Sequence, residues 1–216
     1  MQDQVKKIRV HIQGGRVIDP KSGFDALADL YIADGLIAAI GARPEGFEPD
    51  TVIDASGRIV CPGLVDLSTR LGSLGSELAA AVAGGVTAVA CPPDTNPPLD
   101  EPGLVERLVR HSEALGLARV FPIGALTQQL AGEKLSEMNS LVRAGCLAFS
   151  QAKEPILDTQ ILVRAMQYAA TFGYTVHLQP EDHYLARDGV AHDGEVASRL
   201  GLAGIADRVV HVGGVA

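Results

Sequence analysis

Between residues 63 and 201 the chain is paced by glycines. They fall at Gly63, Gly85, Gly116, Gly145, Gly173 and Gly201, so that after a first step of 22 residues the intervals are 31, 29, 28 and 28. Glycine adopts the left-handed conformation that closes a helix, and the runs that follow (VTAVA, ARVFPI, CLAFS, YTVHL) read as short strands buried on both faces. The intervening stretches carry helical spacing. Leu104, Val105, Leu108, Val109 and Leu115 fall on one face, as do Ile161, Leu162, Ala165, Met166 and Ala169 behind Asp158, an expected N-cap. The spacing predicts an α/β fold in which one parallel sheet is flanked by helices. Five units are complete and a sixth strand, Arg208 to Val212, is begun. A closed eight-unit barrel takes about 250 residues, and the repeat here spans only about 150, so length alone favours an open, doubly wound sheet.

Residues 1–61 follow a different pattern. Short alternating runs (IRVHIQ, RVID, DLYIADG, LIAAIG, TVIDASGRIV) separated by turn residues predict a small antiparallel meander. Asp34-Gly35 between two such runs supplies the positive φ values of a two-residue hairpin. Composition changes at Cys61-Pro62-Gly63, which divides the chain into an N-terminal β-subdomain, 1–61, and the repeat, 62–216.

Composition narrows the partners. The formal net charge is −8 without a basic stripe, and the nine aromatics include no tryptophan, so nucleic acid and anionic membrane surfaces are not expected ligands. Cys61, Cys91 and Cys146 fit neither a disulfide framework nor a zinc cluster of CxxC spacing and read as core residues of a protein in a reducing compartment. The N-terminus lacks the continuous apolar stretch of a signal peptide, and the longest near-apolar run, Leu78 to Cys91, falls short of the roughly 20 residues of a membrane span. A cytoplasmic location is expected.

In a parallel α/β sheet the chemistry sits where the strands end, because the βα loops gather there. The first strand offers Asp66, Ser68 and Arg70 on one face, the second Asp94 and Asn96, the fourth Gln151, and the fifth His177 and Gln179 with Glu181 beyond. Thr95-Asn96-Pro97-Pro98 reads as a rigid turn into the next helix. His11 and His111 read as structural.

Taken together, several segments resemble the dihydroorotase branch of the metal-dependent amidohydrolases. GGRVIDP, DLYIADGLIAAIG and VIDASGRIVCPGLVD are similar to the N-terminal strands of that family. AAAVAGGVTAVACPPDTNP, GEKLSEM, RAGCLAFS, PEDHYL and LGLAGI follow in the family's order. The resemblance runs from about Gly14 to about Ile205. It implies a metal-dependent-hydrolase-type (β/α) barrel, truncated after five to six units, with a small N-terminal β-subdomain. An incomplete barrel of that kind would expose apolar sheet edges.

The resemblance also implies a reaction, the hydrolysis of a cyclic amide by one or two zinc ions that acidify a bound water and polarise the carbonyl. This sequence departs from the pattern at each station. The His-x-His of the first strand corresponds to Ser68 and Arg70, and the arginine that grips the substrate carboxylate corresponds to Gly72. The substrate-binding asparagine is Asp94, the carboxylate after AFS is Gln151, and the histidine before Glu-Asp is Gln179. A guanidinium cannot deprotonate and repels a dication, while hydroxyls and amides are poor zinc ligands. The expectations are therefore no catalytic residue, no metal and no cofactor, with Asp66 and Arg70 pairing where the ion would lie. The alternative is an active enzyme with an atypical mononuclear zinc site drawn from His177, Glu181, His183 and His192. His211 lies in a tail that departs from the family pattern. Inactive dihydroorotase-like chains of this kind act as scaffolds for the catalytic chain of aspartate transcarbamoylase in pyrimidine biosynthesis, so the resemblance implies a hetero-oligomer with that enzyme.

Overall fold

The computed structural model describes residues 8–179, 183–186 and 189–205. The chain divides into two compact units between Gly63 and Leu64. Strands β1 (Val10–Asp19), β2 (Phe24–Ala33) and β3 (Leu36–Ile40) of the first unit pair antiparallel in sequence order. Asp34 and Gly35 join β2 to β3 with φ of 55° and 75°, the geometry that the Asp-Gly dipeptide predicts.

The meander ends there. Strands β4 (Thr51–Asp54) and β5 (Ile59–Val60) both run parallel to β1, which corrects the expectation of an all-antiparallel unit. The reason is the connection after β3. Parallel pairing needs a crossover rather than a hairpin, and residues 41–50 provide it. Phe47 anchors this segment. It is buried, meets the Tyr31 ring edge-on at 5.2 Å, and its carbonyl accepts a hydrogen bond from Arg43 Nε at 2.9 Å. His11 has the structural role expected of it. It stacks on Tyr31 and lies 2.9 Å from the Asp29 carboxylate, whose other oxygen accepts the Gly14 N–H. The Gly14 bond and the His11 ring hold the Asp29 carboxyl below the usual carboxylate range.

The second unit contains the repeat. Strands β6 (Leu64–Asp66), β7 (Val86–Cys91), β8 (Arg119–Ala125), β9 (Ala148–Ser150) and β10 (Thr175–His177) form one parallel sheet in strictly sequential order. A doubly wound sheet reverses its strand order at a switch point, whereas a barrel adds each strand beside the last. The sequential order therefore rejects the doubly wound alternative that length favoured and is consistent with part of a barrel. Helices α1 (Leu74–Ala83), α2 (Pro102–Leu115), α3 (Met138–Ala144) and α4 (Thr159–Phe172) separate the strands. Short elements α5 (His183–Ala186), β11 (Ala191–His192), α6 (Glu195–Leu200) and β12 (Gly204–Ile205) follow, with β11 and β12 paired in parallel. The expected strand from Arg208 to Val212 lies outside the described residues.

Three of the pacing glycines act as expected at the helix ends, while Gly145 closes α3 at φ of 120° and α1 ends on Gly84 and not on Gly85. Gly116, Gly173 and Gly201 close α2, α4 and α6 in the left-handed conformation, with φ of 61°, 69° and 65°. Gly63 closes no helix and is not left-handed. Asp158 caps α4 by accepting the Gln160 N–H at 2.7 Å. The core lies between the sheet and its helices. Leu99, Val105, Leu126, Met138, Leu141, Phe149 and Ala165 form its larger cluster, and Leu78, Val89, Cys91 and Val120 a second. Cys91 and Cys146 are buried, as read from the sequence, and burial pushes their thiols up to about 11 and about 12. Cys61 is exposed, which corrects its assignment to a core. Gly124 is needed for close packing, since a Cβ there would stand 2.9 Å from the Phe149 ring. Among the described residues no helix is long and apolar enough to cross a membrane.

Candidate functional site

The carboxyl ends of β6 to β10 bring the expected stations to one end of the sheet. Strand β6 stops at Asp66, so Ser68 and Arg70 belong to the loop behind it and do not continue a strand face. Asp66 folds that loop back by accepting the Ser68 N–H on Oδ1 at 2.9 Å, and Thr69 N–H reaches the Ala90 carbonyl of β7 at 2.8 Å. Ser68 and Gly72 are exposed.

Arg70 donates from Nε to Asp94 Oδ2 at 2.6 Å, which corrects the expected Asp66–Arg70 pair. The reason lies in the topology. Asp66 is spent on its own loop, whereas Asp94 stands behind the end of β7, the strand hydrogen-bonded to β6. The pair spans two neighbouring loops and is half open to water, the arginine side chain being 51% exposed and the aspartate 25%. Among the described residues, Asp94 Oδ1 is buried without a hydrogen-bond partner, as is Thr69 Oγ1. The Thr95 hydroxyl donates to the Pro97 carbonyl at 2.6 Å, and this turn leads into α2 as read from the sequence.

Gln151, directly behind β9, has a different setting. It is 2% exposed, and its amide donates from Nε2 to the Leu130 carbonyl and to Thr127 Oγ1, both at 2.8 Å. Its Oε1 lies 3.0 Å from the same hydroxyl, which also accepts the Gly132 N–H at 2.9 Å. The loops behind β8 and β9 are thus tied by one amide. A carboxylate in its place could not donate to Leu130. Gln129 and Leu130 carry positive φ values of 55° and 56°. Gln129 is held by Asp100, whose Oδ2 accepts its backbone N–H at 2.7 Å and its side-chain amide at 3.1 Å.

Gln179 and His183 share a small cavity of about 140 Å³ with Gln151, while His177 is exposed on β10 and His192 exposed on β11. Glu181 and His211 lie outside the described residues. A larger cavity, about 520 Å³, is lined by Arg70, Gly72 and Asp94 together with Arg107 and His111 of α2. Sequence reasoning missed this grouping. Arg107 and His111 are one helical turn apart, and that spacing was the available signal.

A zinc centre needs three or four imidazole, thiolate or carboxylate donors converging at about 2.0–2.3 Å. Among the described residues no three His, Cys, Asp or Glu side chains are so grouped. Arg70 brings a fixed positive charge to the loop behind β6 and engages the Asp94 carboxylate, and both polar atoms of the Gln151 amide are engaged by Thr127 and Leu130. The residues present at these stations do not fit zinc.

The model of the dihydro-orotase-like family matches residues 57–213. Over 204 residues the chain is 46% identical to a dihydroorotase-like protein of Pseudomonas aeruginosa, covering 91% of this chain and 48% of that one. It is 41% identical over 205 residues to a dihydroorotase of Citrifermentans bemidjiense, covering 90% and 48%. The chain spans about half the length of the curated relatives it matches. Among solved structures it is similar to the L-hydantoinase (dihydropyrimidinase) of Arthrobacter aurescens, with a TM-score of 0.67 at 22% identity over 83% of this chain and 42% of that one.

Proposed function

Since the chain belongs to the dihydroorotase-like family of amidohydrolases, we propose that it is a noncatalytic member, a cytoplasmic scaffold or regulatory partner of the aspartate transcarbamoylase catalytic chain in pyrimidine biosynthesis. The observation that carries this reading is the Arg70–Asp94 pair, which sets a guanidinium 2.6 Å from a carboxylate where the family's metal chemistry would require imidazoles. A dication brought to that place would meet a permanent positive charge, and the carboxylate closest to it is already neutralised. Gln151 supports the same reading, because its amide is a buried structural tie, its Oε1 accepting from Thr127 and its Nε2 donating to Thr127 and Leu130, and a neutral amide cannot act as a general base.

The test is co-expression of the intact protein with the aspartate transcarbamoylase catalytic chain, followed by size exclusion and assays of zinc content and dihydroorotate hydrolysis. Co-migration with neither zinc nor turnover is the expected result. Persistent separation of the two chains removes the scaffold reading. A second reading, an active hydrolase with a mononuclear site around His177, is favoured by the 41% identity to a protein named dihydroorotase. Stoichiometric zinc together with turnover lost on His177→Ala would establish it.

A further inference from the structure

The cavity of about 520 Å³ between the loop behind β6, the loop behind β7 and α2 has a size suited to a small metabolite. Its floor is apolar, formed by Leu71, Leu74, Leu104 and Leu108, and the side chains of Arg70, Arg107 and His111 stand in its wall. Asp94 is the carboxylate in that lining, and it is engaged by Arg70. Among the described residues, Arg107, His111 and the Asn96 amide have no hydrogen-bond or ion-pair partner, so their donors face solvent unspent. The neighbouring Arg110, by contrast, is paired with Glu106 one turn before it on α2. The Arg107 charge, unpaired among the described residues, belongs to a chain of formal charge −8.

We propose that this cavity binds a small oxyanion, a phosphate ester or a dicarboxylate, through Arg107 and His111 with the Asn96 amide as a further donor. Arg107 and His111 project from successive turns of α2, so a two-ended or branched anion can meet both while an apolar body rests on the leucine floor. Arg70 is already committed to Asp94, and it sets the inner limit of the site without acting as its main donor. The site adjoins the strand-end stations Arg70, Gly72 and Asp94, but its two principal donors come from a flanking helix. It holds whether or not the chain is a scaffold.

Titration calorimetry of the intact protein against inorganic pyrophosphate and against succinate, at physiological ionic strength, tests the proposal. Saturable binding of at least one anion is expected, weakened about tenfold by Arg107→Gln and to a lesser degree by His111→Gln. Arg164→Gln on α4, outside this lining, removes the same charge and should leave binding unchanged. Preference for pyrophosphate assigns a phosphate ester, and preference for succinate a dicarboxylate. Absence of saturation with both anions, or equal weakening by Arg164→Gln and Arg107→Gln, overturns the site. Far-UV circular dichroism of each variant checks that these exposed substitutions leave the fold intact.

Discussion

Where β8 and β9 end, their two loops are joined by a neutral amide shut away from water, whereas where β6 and β7 end, the loops are joined by an ion pair half open to it. The two ties stand in the same sheet and bridge the same kind of neighbouring loops. Their energetics differ because burial decides what a lost partner costs. A buried donor or acceptor left unmatched cannot turn to solvent, while the half-exposed Arg70 guanidinium can. The β8–β9 side should therefore govern stability, and the β6–β7 side should be free to vary.

Substitutions can break this contrast or sharpen it. The largest effect belongs to Phe149→Ala, which removes a fully buried ring packed against Gly124 and Tyr174 and should cost about 3–5 kcal/mol in denaturant unfolding. Gln151→Glu keeps the shape but replaces the donor to Leu130 with a buried carboxyl, at an expected cost of about 2–4 kcal/mol by the same measurement. Thr127→Val strands the Gly132 N–H and the Gln151 amide at once and should cost about 1–3 kcal/mol. Arg70→Met comes last, at less than about 1 kcal/mol, and a double-mutant cycle with Asp94→Asn should give a coupling of similar size. If Arg70→Met destabilised the protein more than Thr127→Val, the contrast between the two ends would be lost.

What could be read from the sequence follows the same division between local and distant causes. Helix ends at Gly116 and Gly173, the Asp158 cap and the Asp34-Gly35 hairpin were legible because each depends on residues a few positions apart. The Arg70 partner was not. Strand alternation pointed to Asp66, but β6 is only three residues long, and the choice of Asp94 is made by the neighbouring strand. The direction of β4 and β5 was hidden for a related reason, since alternation does not record which way a returning strand runs. The Gln151 tie was foreseen only as a missing carboxylate. Its positive role depends on Leu130 and Thr127, more than twenty residues earlier. His111 read as structural, and only the folded loops before α2 bring it and Arg107 into the lining of a cavity.

The unbroken succession of β6 to β10 bears on how the protein is made. Every strand finds its hydrogen-bonding neighbour one βα unit away along the chain, so during synthesis each new strand emerging from the ribosome meets an edge already laid down. Such a sheet can grow vectorially, and a pause in translation between units would leave a shorter sheet of the same pattern and not a tangle of unmatched pieces.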